Sequence, residues 1–256
     1  MSTHPYADQV AIVTGAGKGT GGLGRAIALA LAEGGARVMV ADIDPAVAEN
    51  AAEIKAATGR ETLSHAGSLA DEDSVKRMVA ATIAAWGRVD ILVNNAGGGI
   101  IRPFLEHDAA SFTETIARNL WTAIWCCHKV LPHMVEKNYG RIINIGADSL
   151  RTGIPNHAGY NAAKGGVVGM SVALARDFAS HDISINTVSP CVINTPRFRD
   201  MMQSNPALAG KFEQVVPKGR AVEIAEVVDA VCFLARRESG FMTGQELSLN
   251  GGSAMP

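Results

Sequence analysis

A tyrosine and a lysine in the second half of the chain have the spacing of a catalytic pair. Tyr160 and Lys164 are four residues apart, and residues at that spacing lie on one face of a helix, where their side chains interact. A neighbouring ammonium favours the phenolate and so lowers the pKa of a tyrosine. The pair therefore predicts a general acid/base, at the start of the helix that follows the fifth predicted strand.

A glycine-rich turn, Gly15–Gly24, joins the first predicted strand to the first predicted helix. Glycines in such a turn let backbone N–H groups and the helix N-terminus approach a pyrophosphate without a Cβ in the way. A lone glycine motif is weak, but this one has the strand before it and the helix after it. It predicts a dinucleotide site that includes Gly15, Gly22, Leu23 and Gly24.

The second predicted strand ends at Asp42, where the ribose of a bound adenosine would lie. A carboxylate there accepts hydrogen bonds from both ribose hydroxyls and repels a 2′-phosphate. Ile43 follows, so that no arginine is present to pair with the phosphate, and the pattern favours NAD over NADP. The alternative is that Asp42 caps a turn or helix before Pro45, a role that Asp44 could equally fill.

These residues are positioned by strands and helices that alternate along the whole chain, which is typical of βαβ units and a parallel sheet. We expect a single α/β domain over residues 1–256, with a doubly wound, seven-stranded Rossmann-type sheet. The predicted strands are Gln9–Thr14, Arg37–Asp42, Glu61–Ala66, Asp90–Asn94, Gly140–Gly146, Ser184–Ser189 and Glu246–Leu249. The predicted helices are Leu23–Gly34, Pro45–Ala57, Glu72–Trp86, Ala109–Glu136, Tyr160–Ser180 and Glu223–Arg236. The long irregular stretch 191–221 mixes apolar and basic residues, which favours a substrate lid over a mere linker.

Composition excludes several classes of function. The net charge is −2, with 23 basic and 25 acidic residues that are scattered along the chain, so no basic face for nucleic acid is expected. No apolar run reaches the length of a membrane span and no leader segment is evident, so we expect a cytoplasmic protein. The four cysteines lack metal or disulfide spacing, and Cys191 is expected to be a packing residue.

Taken together, ordered markers along nearly the full chain resemble the short-chain dehydrogenase/reductase family. Besides the glycine turn, Tyr160 and Lys164, the markers are Asn94–Gly97, Asn119, Ser189–Thr195 and Thr243. The resemblance implies a nicotinamide cofactor, hydride transfer at a carbinol or carbonyl carbon, and a homotetramer built on the fourth and fifth predicted helices.

The resemblance also implies roles for individual residues. Tyr160 would be the acid/base, Lys164 would lower its pKa and bind the nicotinamide ribose, and Asn119 would belong to a proton relay through water. The remaining residues implied to contact the cofactor are Ser68, Asn95, Ala96, Gly97, Ile193 and Thr195.

The chain departs from the family pattern at the catalytic serine. The serine is expected 13 residues before the tyrosine, where this chain has Ala147. Either Ser149 reaches the substrate oxygen instead, which we favour, or Asp148, a backbone N–H or a substrate hydroxyl takes the role. The glycine turn is also longer than usual, and Lys18 or Thr20 in it either contacts phosphate or lies in a solvated bulge.

Loops beyond the strand ends are expected to form the substrate pocket. Arginines in or beside these loops could pair with an acidic substrate, or could be ordinary surface residues: Arg102, Arg151, Arg197 and Arg199. Within the family, the segments 146–153 and 189–196 resemble enzymes of carboxylated or CoA-linked alicyclic alcohols, such as 2-hydroxycyclohexanecarboxyl-CoA dehydrogenase and cis-dihydrodiol dehydrogenases. We therefore expect an NAD-dependent enzyme of a small-molecule secondary alcohol or ketone.

Three alternatives stay open at this point. Two are enzymes of the same kind, a 3-oxoacyl thioester reductase and a sugar or polyol dehydrogenase. The third is a dinucleotide-binding sensor or scaffold without turnover, which Ala147 alone supports.

Overall fold

In a computed structural model of the chain, the described residues are 4–17, 22–204 and 215–255. Seven parallel strands form one sheet in the order β3-β2-β1-β4-β5-β6-β7. The strands are β1 (Val10–Thr14), β2 (Arg37–Asp42), β3 (Thr62–Ala66), β4 (Ile91–Asn94), β5 (Gly140–Ile145), β6 (Ile183–Pro190) and β7 (Glu246–Leu249). The predicted doubly wound α/β fold is confirmed.

Helices cover both faces of this sheet. They are α1 (Leu23–Glu33), α2 (Val47–Thr58), α3 (Glu72–Trp86), α4 (Ala109–Ile116), α5 (Thr122–Lys137), α6 (Ser149–Thr152), α7 (Ala158–Asp177), α8 (Pro196–Ser204) and α9 (Ile224–Ala235). One apolar core lies between the sheet and α1, α2 and α9, and it includes Ile27 and Val231. The other lies between the sheet and α3, α5 and α7, and it includes Met78 and Val130. Each fully buried side chain of this size stabilises the fold by roughly 1.5–3 kcal/mol.

Two segments differ internally from their sequence-based description. The predicted helix Ala109–Glu136 is interrupted by a π-helical turn, Ala117–Trp121. In such a turn each backbone hydrogen bond joins residues five apart in sequence, whereas in an α-helix it joins residues four apart. The stretch 191–221 is not irregular throughout, because it contains α8 and a parallel bridge between Ile193 and Val222. The predicted lid residues Leu208 and Phe212 lie outside the described residues.

The strand order reverses beside β1, whose neighbours are β2 and β4. In open α/β sheets the crevice beyond the carboxyl ends of the strands at such a point is where ligands bind. The glycine turn after β1, Asp42 at the end of β2 and Asn95 after β4 all lie at this edge. The topology therefore brings the sequence-predicted residues to one side of the sheet.

Candidate active site

The turn after β1 is bonded to the end of β4. The Thr14 hydroxyl accepts hydrogen bonds from the backbone N–H groups of Asn95 and Ala96, both at 3.0 Å. The Asn95 amide donates to the carbonyl oxygens of Thr14 at 3.0 Å and Gly15 at 2.9 Å. Asn95 therefore shapes the turn, and its side chain is held within the protein.

Two glycines of this turn have no room for a side chain. Gly15 has a φ of +67°, and a Cβ there would lie 2.7 Å from the Cα atom of Ala96. A Cβ on Gly24 would lie 2.2 Å from the carbonyl oxygen of Gly15. Gly22 precedes α1 with a φ of +87°, and Leu23 begins α1 with its side chain buried. Such a cradle of backbone at a helix N-terminus fits a pyrophosphate, whereas Lys18 and Thr20 lie outside the described residues.

Asp42 is buried and its two carboxylate oxygens have different backbone partners. One oxygen accepts from the N–H of Gly17 at 2.7 Å, and the other from the N–H of Asp44 at 2.9 Å. Asp44 in turn accepts from the N–H of Ala46 at 2.9 Å. Asp42 thus does make a turn contact before α2, as the alternative interpretation stated, and it also holds the glycine turn. Each oxygen keeps a lone pair for a further donor.

Ser68 lies near Asp42 but is exposed. The preceding residue, Gly67, donates its N–H to the backbone oxygen of Asp42 at 2.9 Å, which places Ser68 just beyond the carboxyl end of β3. Ile43 is 73% exposed beside it. Ile43 is therefore more than the absence of an arginine, because an exposed isoleucine at this point offers a flat base an apolar surface.

Tyr160 and Lys164 occupy the beginning of α7, as predicted. Lys164 is buried and its Nζ donates to the carbonyl oxygen of Ile145 at 2.7 Å, at the end of β5. Its Nζ lies 5.9 Å from the centre of the Tyr160 ring. Desolvation lowers the pKa of Lys164 to about 8.

The direction of the tyrosine shift differs from the sequence-based expectation. Burial raises the pKa of Tyr160 to about 12, whereas a neighbouring ammonium was expected to lower it. The Tyr160 phenol is itself desolvated, while the Lys164 Nζ donates to the Ile145 carbonyl and lies 5.9 Å from the ring centre. Desolvation of the phenol therefore outweighs the attraction of the cation.

Asn119 lies in the π-helical turn and is bonded to the loop after β4. Its amide donates to the carbonyl oxygens of Gly98 and Thr115, both at 2.8 Å, and its side-chain oxygen accepts from the N–H of Gly98 at 3.1 Å. A Cβ on Gly97 would lie 2.6 Å from the Asn119 oxygen and 3.4 Å from Lys164 Nζ. A Cβ on Gly99 would lie 2.6 Å from the ring of Tyr160. Glycines 97–99 thus bring three polar residues together, and Gly99 was not among the predicted site residues.

Ser149 begins α6, eleven residues before Tyr160, and is nearly buried. Its hydroxyl donates to the side-chain oxygen of Asn161 at 2.6 Å, and the Asn161 amide donates to the Ser149 carbonyl at 2.9 Å. Ala147 is buried at the expected serine position. Asp148, one of the alternatives for the missing serine, has both carboxylate oxygens bonded to the end of the chain, at Asn250 and Ser253.

Three of the four arginines in or beside the predicted pocket loops have partners within the protein. Arg151 is not free for an acidic substrate, because it forms an ion pair with Glu246 at 3.0 Å and donates to Ser248. Arg102 and Arg199 donate to backbone oxygens of their own segments, at Glu106 and Asn194. The side chain of Arg197 lies outside the described part of the chain.

Ile193 and Thr195 lie in the segment after β6. Ile193 forms the bridge to Val222, and the Thr195 hydroxyl accepts from the N–H of Phe198 at 3.2 Å, as a cap of α8. Cys191 is half-buried, and desolvation raises the pKa of its thiol, which fits the expected packing role. The four cysteines are free. Within the described residues, no cluster of ligands could hold a metal ion and no helix is long and apolar enough to cross a membrane.

Comparison with known proteins adds an independent set of findings. The family model described as enoyl-(acyl carrier protein) reductase matches residues 17–254. The chain is 48% identical to the 2,3-dihydroxy-2,3-dihydro-p-cumate dehydrogenase of Pseudomonas putida, over 98% of this chain and 96% of that enzyme. It is 34% identical to the 1,6-dihydroxycyclohexa-2,4-diene-1-carboxylate dehydrogenase of Acinetobacter baylyi, over 98% of each chain. A solved structure of NAD⁺-bound xylitol dehydrogenase is 29% identical with a TM-score of 0.89, over 96% of this chain and 99% of that one.

Proposed function

The chain belongs to the short-chain dehydrogenase/reductase family, and from that membership we propose that it oxidises a secondary alcohol on a six-membered ring with NAD as hydride acceptor. The observation that carries the proposal is the meeting of Asn119, Tyr160 and Lys164 around glycines 97–99. This site lies at the same sheet edge as the glycine turn and Asp42. An acid/base and a dinucleotide cradle at one edge are what hydride transfer requires.

We propose that the substrate is a vicinal diol on a partly unsaturated ring that carries a carboxylate. The names of the two relatives each describe such a compound, with two neighbouring hydroxyl groups on a dihydro ring and an acid group. Loss of hydride from one carbinol carbon and of a proton from its oxygen gives a hydroxyketone. The ring then becomes aromatic, by tautomerisation where the second carbinol carbon carries hydrogen, or by loss of CO₂ where that carbon carries the carboxylate, and this favours oxidation as the direction.

In this proposal Tyr160 takes the proton of the reacting hydroxyl, and the bound dinucleotide supplies the carbon that accepts the hydride. Lys164, when protonated, favours the phenolate electrostatically and donates to the nicotinamide ribose. Asn119 holds the loop after β4 in place and orders a water in the proton path. Ser149 donates to the reacting oxygen. To do so, its hydroxyl must first break its hydrogen bond to the side-chain oxygen of Asn161.

NAD as the cofactor is supported by the carboxylate of Asp42 at the end of β2 and by the exposed Ile43 beside it. A 2′-phosphate at this point would meet a buried negative charge. Other residues proposed to line the cofactor are Gly15, Gly22, Leu23, Gly24, Ser68, Asn95, Ala96, Gly97, Ile193 and Thr195. Tyr160 and Lys164 complete the nicotinamide end.

We further propose a single catalytic domain in which residues 191–221 close over the substrate. Assembly as a homotetramer is supported by apolar side chains on the outer surface near α5 and on α7, with Trp121 41% and Val172 53% exposed. The free thiols are consistent with a reducing compartment, and we propose the cytoplasm. We expect neither nucleic acid nor membrane as a partner.

The proposal is tested by following reduced dinucleotide formed from cis-1,2-dihydroxycyclohexa-3,5-diene, with and without a ring carboxylate, in the presence of NAD or NADP. Wild-type enzyme is expected to oxidise the diols with NAD, and Tyr160→Phe to lose activity by about 10³-fold or more. Xylitol in the same assay serves as one comparison substrate, and a 3-oxoacyl thioester with NADH or NADPH, followed as loss of the reduced dinucleotide, serves as the other. Preference for either of these contradicts the diol assignment, and NAD binding without turnover of any substrate favours the sensor alternative.

A further inference from the structure

Asp148, the residue between Ala147 and Ser149, is a buried carboxylate held by the end of the chain. It is 1% exposed. One of its oxygens accepts from the Asn250 amide at 3.0 Å, and the other from the Ser253 hydroxyl at 2.7 Å. Its own backbone N–H donates to the carbonyl oxygen of Pro190 at 3.1 Å, at the end of β6. Burying a carboxylate is costly unless it is hydrogen-bonded, and here both oxygens are bonded by neutral groups.

Arg151 ties the other end of the same short turn to β7. Its guanidinium pairs with Glu246 at 3.0 Å and also donates to Ser248. The second oxygen of Glu246 accepts from the buried Ser189 hydroxyl at 2.6 Å. β7 and the residues after it, 246–254, therefore hold residues 148–152 at two points, about one helical turn apart.

Ser149 lies between these two anchors in the sequence. It is paired in both directions with Asn161, the residue that follows Tyr160. The Arg151–Glu246 pair is only partly buried, with side chains 25% and 15% exposed, and ion pairs that solvent reaches contribute little to stability. The pair is therefore weak evidence for a purely stabilising role. Two charged anchors on either side of one hydroxyl instead favour a role in placing that hydroxyl.

We propose that Asp148 and Arg151 are positioning residues that set the place of the Ser149 hydroxyl, with residues 246–254 as the support. This inference rests on the proposed function, in which Ser149 contacts the reacting oxygen. It replaces two interpretations of the sequence, since Asp148 is then not a substitute for the missing serine and Arg151 does not bind the substrate. Both residues act through Ser149 and neither touches the substrate.

The experiment is a double-mutant cycle in the full-length enzyme, with NAD and cis-1,2-dihydroxycyclohexa-3,5-diene as substrates. Asp148→Asn is expected to lower kcat by about 10- to 100-fold, because a small displacement of a catalytic group has effects of this size, while KM for NAD stays unchanged. Ser149→Ala is expected to lower kcat by about 10²-fold. In the Ser149→Ala background, Asp148→Asn should have almost no further effect on kcat.

Additive effects of the two substitutions on kcat would overturn the proposal, because Asp148 would then act independently of Ser149. Ser253→Ala removes one hydrogen-bond partner of Asp148 and is a milder variant. It should lower kcat less than Asp148→Asn does, and it should likewise have almost no further effect on kcat in the Ser149→Ala background. Arg151→Lys should retain more kcat than Arg151→Gln, and equal losses in these two variants also count against the proposal.

The matched control is Asn186, which is equally buried and holds the beginning of β7. Its side chain donates to the Met242 carbonyl at 2.7 Å and accepts from the N–H of Gln245 at 3.0 Å. Asn186→Ala should lower the melting temperature and leave kcat unchanged. If it lowers kcat as Asp148→Asn does, general loosening of β7 explains the effect and the inference fails. Absence of diol oxidation by the wild-type enzyme would instead refute the proposed function itself.

Discussion

Lys164 is a buried lysine at the carboxyl end of the sheet, and its burial has a cost at neutral pH. Its Nζ donates to Ile145, and desolvation lowers its pKa from 10.5 to about 8. A group whose charged form is disfavoured in the folded state makes folding less favourable at every pH below its folded pKa. The fold therefore carries this lysine at the expense of stability, which is typical of a functional residue.

The pH dependence of stability should reveal this lysine. Between pH 8 and pH 10.5 the unfolded chain holds a proton on Lys164 that the folded chain has released. The free energy of unfolding of the wild type, relative to Lys164→Met, should therefore rise across this window by about 3 kcal/mol in total. Denaturant unfolding of both proteins at several pH values measures the difference. A pH-independent difference would show that the lysine is not desolvated.

Tyr160 should ionise late in the protein without cofactor. Because burial raises its pKa to about 12, the ultraviolet difference spectrum between wild type and Tyr160→Phe should show no tyrosinate up to pH 10. Bound NAD brings a positive nicotinamide to the site and should lower this pKa. A tyrosinate signal near pH 8 in the protein without cofactor would restore the original sequence-based expectation for the Tyr160–Lys164 pair.

At the scale of elements, the glycines after β4 and the π-helical turn act together. The π-helical turn contains Asn119, whose side chain is bonded to both the N–H and the carbonyl of Gly98. Neither Gly97 nor Gly99 has space for a methyl group next to Asn119 and Tyr160. The distance between the loop after β4 and α7 is thus set by the close approach of the loop backbone to the Tyr160 ring.

Adding one methyl group at Gly99 should displace Tyr160, the proposed acid/base. Its Cβ would lie 2.6 Å from the Tyr160 ring, so Gly99→Ala should lower kcat by about 10- to 100-fold and leave NAD affinity nearly unchanged. Gly169→Ala is the matched control, because Gly169 lies in α7 with open space around it. That variant should keep kcat and gain up to about 1 kcal/mol of helix stability. Steady-state kinetics of both variants, with NAD titration, would test this; equal kcat in both would contradict it.

Much of this arrangement could be predicted from the sequence because it depends on local signals. Alternating strands and helices, the glycine turn and the Tyr160–Lys164 spacing all act within a few residues, and they predicted the sheet and its ligand-binding edge. The partners of Arg151 and Asp148 could not be predicted, since Glu246 and Asn250 are about a hundred residues away. The π-helical turn was missed because apolar periodicity barely changes when one residue is inserted in a helix.

At the scale of the whole molecule, apolar side chains remain on the outer surface near α5 and on α7. The Trp121 and Trp125 rings stack at 5.2 Å, with Trp121 41% exposed, and Val172 is 53% exposed. Exposed aromatic clusters of this kind are typical of protein interfaces. This surface is the basis of the proposed homotetramer.

A charge on this surface should disrupt assembly. Trp121→Glu places a carboxylate in the proposed apolar contact, and light scattering should show a smaller particle than for the wild type. Leu63→Glu is the control, since Leu63 is an exposed apolar residue on the edge strand β3, and it should leave the proposed tetramer intact. A monomeric wild type at micromolar concentration would refute the assembly.

The bond between Asp42 and the N–H of Gly17 has a consequence for how coenzyme preference could change during evolution. Under the proposed NAD preference, a substitution that removes the carboxylate to admit NADP also takes away an acceptor for the N–H of Gly17 in the proposed phosphate cradle. Single replacements at this position should therefore lower the affinity for both NAD and NADP, and should not by themselves reverse the preference between them. A switch would require a second change, within the cradle, that supplies a new acceptor.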